Sequence, residues 1–302
     1  MNYKLPSLNI IATAVYFAWM NKAEFLRAIA LPTLLLVSCS AVGNIFLKSI
    51  PGYLWLPYVL VYGLCFSYLA ITCHRLILIE AGDRHRTYKA KLGYRELRFL
   101  GWVVAIYTID TILRIPVSLL IQSAGGSMFV GANGKLTEWA KQIASIPALY
   151  VFARLSLAFP AAAIDKHSGL RWSWLRTRGN GWRIFVVVCL FPWIFGIVLE
   201  AIAREEATVL EQVVLAIFGF LGLAVEIIAL SYVYKDIAKH YVGDSSQVDA
   251  ETRTSSTVSS TEKFHSLEQS GSDNKLYVVA KVGLIIAIGY LLVGSLISYL
   301  VK

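Results

Sequence analysis

Four charged side chains interrupt apolar runs in this chain. Asp110 and Arg114 sit in one run, Arg154 in the next and Glu226 in a later one. An ionised group in hydrocarbon is costly, so such residues pair with one another or line a polar path. The spacing of four puts Asp110 and Arg114 on one helical face. The formal charges of the four cancel, so the group is expected to neutralise itself between three spans. Two chemistries follow. One is a dry clasp that holds spans together. The other is a polar site or water-filled path for an anionic substrate or lipid head group.

A second constellation lies at a surface. Arg171, Arg176, Arg178 and Arg183 are interleaved with Trp172, Trp174 and Trp182. Amphipathic rings settle at head-group level, and guanidinium groups pair with lipid phosphates. The stretch reads as a short basic surface helix that anchors the topology or contacts anionic lipid.

Other chemistry finds no footing. Cys39, Cys65, Cys73 and Cys189 lie in or beside apolar runs without a CxxC pair, and they read as small buried hydrophobes. His74, His85, His167 and His240 are scattered near span ends, and His265 falls in a polar tail; no HExxH spacing exists. They read as interface residues, not metal ligands. Asp165 beside His167 has the look of an acid–base pair, but no nucleophile stands next to it, so Asp165 is expected to be a charge at a helix N-terminus. Walker A, GxSxG and dinucleotide fingerprints are absent from the sequence, and Gly125, Gly126 and Gly131 read as turn residues. The chain is expected not to be an enzyme and to use neither cofactor nor metal.

The elements that must position these residues are membrane spans. The chain has 302 residues, 57% hydrophobic and 16% charged, with a mean hydropathy of +0.62. Soluble domains carry about 25% charged residues. Apolar runs near the bilayer-crossing length place spans at about 25–47, 53–78, 99–122, 143–164, 184–202 and 209–233. Residues 7–20 are too short and too polar to cross. Leu8, Ile11, Ala12, Val15 and Trp19 share one face there, so an interfacial helix capped by Ser7 is expected. The net charge of +9 sits in loops, where it suits orientation and anionic lipid and not nucleic acid.

Positive charge alternates between loops. Lys4, Lys22, clusters at 84–98 and 166–183, Lys235 and Lys239 fall on one side; Lys48, Lys135, Lys141 and Arg204 fall on the other. The positive-inside rule places the N-terminus and both clusters in the cytoplasm. No cleavable signal peptide is expected. Residues 241–275 form a Ser/Thr-rich polar tract with little to bury, expected to be a disordered cytoplasmic linker. Residues 276–302 are long and apolar enough for a seventh span. Residues 1–240 then form the helical membrane domain, with surface helices near 7–20 and 168–180. A weak parallel repeat is also legible: a surface helix leads into a span pair twice, at an offset of about 155–160 residues.

The stretch RLSLAFPAAAIDKHSGLRWSWLRTRGNGWRIF, with CHRLILIEAGDRHRTYKAKLGYRELRFLGW upstream, resembles a group of uncharacterised bacterial inner-membrane proteins similar to the YciC-like family and to the membrane domain of glycerophosphodiester phosphodiesterases. His74-Arg75 at the exit from span two, 95–100 at the start of span three, Arg154 with Pro160, and 174–182 carry the likeness, which covers roughly residues 8–240. The polar tail and seventh span depart from it. The resemblance implies an all-α, polytopic integral protein of the bacterial inner membrane with no catalytic residues to carry over. The expected fold is thus a bundle of six or seven transmembrane helices with two amphipathic surface helices. The expected function is a non-enzymatic envelope role through contact with the phospholipid bilayer, anionic lipids included, or with a membrane-protein partner or second copy of the chain. The alternative is a transporter or lipid carrier built on the mid-membrane charges.

Overall fold

A computed structural model describes residues 3–46, 52–79, 93–124, 137–166, 169–202 and 208–249. The polar tract beyond 249, the expected seventh span, the loop with Arg84, Arg86, Lys89 and Lys91, the Gly-rich loop at 125–136, and His85, His167 and His265 lie outside the described residues. Within them every regular element is helical.

Helix α1 is Ser7–Met20, followed by α2 (Lys22–Phe46), α3 (Gly52–Leu78) and α4 (Tyr94–Ala124). Then come α5 (Glu138–Leu155), the short α6 (Ala158–Ala163), α7 (Leu170–Arg176) and α8 (Gly181–Phe185). A π-helical turn, Val186–Leu190, joins α8 to α9 (Phe191–Ile202), and α10 (Val209–Asp249) closes the series. Among the described residues, six stretches are long and apolar enough to cross a membrane: Lys22–Gly43, Pro57–Leu78, Arg95–Ser123, Ala140–Ala163, Gly181–Ile202 and Leu210–His240. The chain is an all-α, multi-pass membrane bundle.

The bundle is built around α3 and α10, which pack against each other; α2 and α4 flank α3, and α9 lies on α10. The centre is small and aliphatic, with Leu69, Leu76, Ile106, Leu157, Ile184 and Ile228 fully or almost fully buried. Helix α4 keeps most of its apolar surface outward: Val104, Ile112, Ile115, Leu119 and Leu120 are exposed, as suits a lipid-facing span. His74 is not an interface residue. It is 1% exposed and its Nδ1 lies 2.8 Å from Ser231 Oγ across the α3–α10 crossing, because burial in the bundle demands a polar partner. The two residues are 157 positions apart, within the offset of the sequence repeat.

Span four is broken. Pro160 has no N–H to offer the carbonyl of Ser156, and its ring would strike that carbonyl in a continuous helix. The chain therefore ends α5 at Leu155 and restarts as α6 at Ala158. Helix α1 also differs from expectation at its start. Ser7 is not the cap: Pro6 holds that position and no side chain caps the helix. Ile10 and Ala14 are buried, with α1 packed on α10. Leu8 and Trp19, on the predicted apolar face, are exposed. One face of α1 serves the protein, and the other is left for lipid.

Candidate functional site

The mid-membrane charges separate into two places. Asp110 and Arg114 form the expected pair one helical turn apart, with Arg114 Nε 2.7 Å from Asp110 Oδ2. Asp110 is buried, whereas 44% of the Arg114 side chain is exposed. Glu226, on α10, relates to this pair only at one remove: Tyr107 and Cys189 each lie within electrostatic reach of Glu226, Asp110 and Arg114. Cys189 belongs to the π-helical turn, a local widening that re-aims side chains in a span.

Arg154 is not part of that group. It lies in the last turn of α5, and its guanidinium turns to α7. Its Nε donates to Thr177 Oγ1 at 3.1 Å and a terminal nitrogen donates to the Trp174 carbonyl. The guanidinium stacks 3.6 Å from the centre of the Trp174 ring. In return Ser173 Oγ donates to the Arg154 carbonyl at 2.7 Å. The break before α6 explains the exchange. The last carbonyls of α5 need partners, and the polar end of α7 both supplies hydroxyls and accepts a cation at its carbonyl terminus. Arg154 thus bolts the surface helix to span four.

The surface constellation divides likewise. Arg171, Trp174, Arg178 and Trp182 are exposed, and Leu175 between them is exposed as well. Trp172 is half-buried and packs on Tyr234 at 5.8 Å. Arg176 is half-buried. Arg183 works inside the fold, donating to the Leu5 carbonyl at 2.6 Å. Beside it, Asn180 accepts from the Leu5 N–H at 2.9 Å and donates to the Tyr3 carbonyl at 3.1 Å. Tyr3 hydrogen-bonds Asp236 and its ring lies 3.8 Å from that of His240. The segment before α1 is therefore strapped across the start of α8 and the side of α10 at Asp236 and His240.

A third cluster, which the sequence reading missed, lies at the same end of the bundle. The chain leaves α6 through a left-handed residue, Asp165, with φ +61°. Lys166 N donates to Ala161 O at 3.0 Å and Asp165 N donates to Ala162 O at 3.2 Å, the two bonds of a Schellman motif. Arg95 Nε donates to both carboxylate oxygens of Asp165, at 3.1 and 3.0 Å. Arg98 and Arg75 stand 3.9 and 4.0 Å from the same carboxylate. They also donate to Ala162 O at 3.0 Å and Ala163 O at 3.3 Å. Asp165 is thus a helix C-terminal residue gripped by arginine and not an N-terminal charge. The Arg75 at the exit from α3 and the 95–98 start of α4 were visible as separate signals; nothing in their spacing joined them to residue 165.

Among the described residues no group of His, Cys, Asp and Glu could hold a metal ion. Comparison with models of known protein families, with curated proteins and with solved structures returned no match.

Proposed function

We propose that this chain is a non-enzymatic membrane protein that acts by contact with anionic phospholipid at one membrane face. The observation that carries the reading is the Arg154 bolt. It fixes α7 against span four, so that Trp174 and Leu175 are held exposed beside Arg171 and Arg178, with Trp182 of α8 exposed as well. An apolar and cationic rim held rigid at the end of a bundle suits lipid phosphate and the acyl boundary together. The positive-inside pattern supports a cytoplasmic face, and the resemblance to uncharacterised bacterial inner-membrane proteins supports the bacterial inner membrane as the site.

Tryptophan quenching tests this. Brominated phosphatidylglycerol should quench the protein in bilayers more than brominated phosphatidylcholine does, and W174F/W182F should remove most of the difference. Equal quenching by the two lipids would refute the reading.

A carrier is the second reading, favoured by Tyr107 and Cys189, each of which lies within electrostatic reach of both the Glu226 carboxylate and the Asp110–Arg114 pair. It requires water at mid-membrane. With the native cysteines replaced, single cysteines at Thr111 and Val225 should react with a membrane-impermeant maleimide if it holds. Absence of labelling, with surface controls reacting, would dismiss it.

A further inference from the structure

The cluster around Asp165 is distinct from the exposed rim of α7. Three guanidinium groups, from α3 and from two successive turns of α4, converge on one carboxylate. Among the described residues the other acid near them is Glu96, which is within electrostatic reach of Arg75 but whose side chain is occupied by the Gly93 N–H at 2.8 Å. Among the described residues, Arg75, Arg95 and Arg98 against Asp165 and Glu96 leave an excess of positive charge. The arginines themselves are mostly covered: their side chains are 14%, 32% and 18% exposed. The Nε atoms of Arg75 and Arg98 are buried and have no hydrogen-bond partner. A buried donor without an acceptor is destabilising, and like-charged guanidinium groups repel. Such a cluster is built for more negative charge than one carboxylate brings.

Asp165 itself points to the same conclusion. The left-handed position of a Schellman motif ordinarily takes glycine, since a Cβ there crowds the following carbonyl oxygen. Here the side chain earns its place by orienting Arg95. Its carboxylate is 54% exposed, so the face of the cluster that it occupies is open to solvent. A group with several strong acceptor oxygens and roughly two charges would engage the planar forks of several arginines at once.

We propose that Arg75, Arg95 and Arg98 form a binding site for a phosphate group, with Asp165 as the residue that orients the guanidiniums and competes with the ligand for Arg95. The phosphate belongs either to a small soluble molecule or to a lipid head group; both present the same oxygens to the same forks.

The test uses the full chain in uncharged detergent, with the thermal unfolding midpoint followed as ligand is added. Inorganic phosphate is titrated against potassium chloride at matched ionic strength. Phosphatidic acid is titrated separately, in mixed micelles against phosphatidylcholine. A rise in midpoint with inorganic phosphate would identify a soluble ligand class. A rise with phosphatidic acid alone would identify a lipid head group. Either rise should weaken at least about tenfold in apparent affinity in R95Q/R98Q, the loss expected for hydrogen bonds to a charged group. D165G, which suits the left-handed turn and keeps all three arginines, should raise the affinity several-fold. R171Q/R178Q should leave it unchanged, which separates this site from the rim of α7. Absence of a rise with both ligands, or a rise that survives R95Q/R98Q, would overturn the proposal. Should R95Q/R98Q fail to fold, D165G decides: unchanged or weakened binding overturns the proposal as well.

Discussion

Replacing Arg154 with methionine should destabilise the bundle by about 2–4 kcal/mol. The figure comes from what Arg154 holds. It makes two side-chain hydrogen bonds, to Thr177 Oγ1 and the Trp174 carbonyl. Side-chain hydrogen bonds in membrane proteins average about 0.6 kcal/mol and reach about 1.7. Its stacking on Trp174 at 3.6 Å adds about 0.5–2 kcal/mol. Methionine keeps the stem's apolar contacts, so little packing is lost. Arg154→Lys retains the charge but not the planar fork, and should cost about half as much. The assay is detergent-driven unfolding in mixed micelles followed by far-ultraviolet circular dichroism, with a double-mutant cycle to Trp174→Leu. The stacking predicts a coupling of about 1 kcal/mol between the two positions. R154M within about 0.5 kcal/mol of wild type, or a cycle with no coupling, would refute the bolt.

Three further outcomes follow from the packing. An added Cβ at Gly222 would lie 2.2 Å from the Phe195 ring, so Gly222→Ala should lower stability by about 1–3 kcal/mol, and Phe195→Leu should restore part of it, measured by the same unfolding. Asn180→Ala should release the N-terminal strap, costing about 2 kcal/mol for two lost hydrogen bonds, and should expose the segment around Leu5 to limited proteolysis while the bundle stays folded. Arg114→Gln leaves the buried Asp110 carboxylate without its cation and should destabilise by about 2–4 kcal/mol; D110N/R114Q should be milder than Arg114→Gln alone, by thermal unfolding in detergent.

The spans were legible because hydrocarbon imposes a length and a composition on every crossing segment. The extent of helix α1 was legible though its cap was not, and the Asp110–Arg114 pair followed from helical spacing alone. What the sequence hid is tertiary. Arg154 looked like a fourth member of the mid-membrane group because its depth along the span is readable and its direction is not. Its partners lie 20 and 23 residues onward, beyond a proline break whose effect is to fold α7 back on α5. Asp165 looked like a helix N-terminal charge because α7 begins soon after it. The short α6 ending before it, six residues long, is hidden inside what reads as one continuous apolar run. The arginines that meet it come from 90 and 70 positions away, a juxtaposition that only the packing of α3, α4 and α6 creates. His74 was misplaced for the same reason: proximity to a charged loop suggested a surface, while the crossing with α10 buried it.

Selective contact with anionic phospholipid should be visible in the lipids that stay with the purified protein. The full chain would be placed in nanodiscs of mixed phosphatidylglycerol and phosphatidylcholine, and the lipids retained on the protein would be counted by native mass spectrometry. Contact through Arg171 and Arg178 should enrich phosphatidylglycerol over its share in the bulk bilayer, with the ratio falling toward the bulk value in R171Q/R178Q. A wild-type ratio equal to the bulk, or an enrichment indifferent to those arginines, would contradict it.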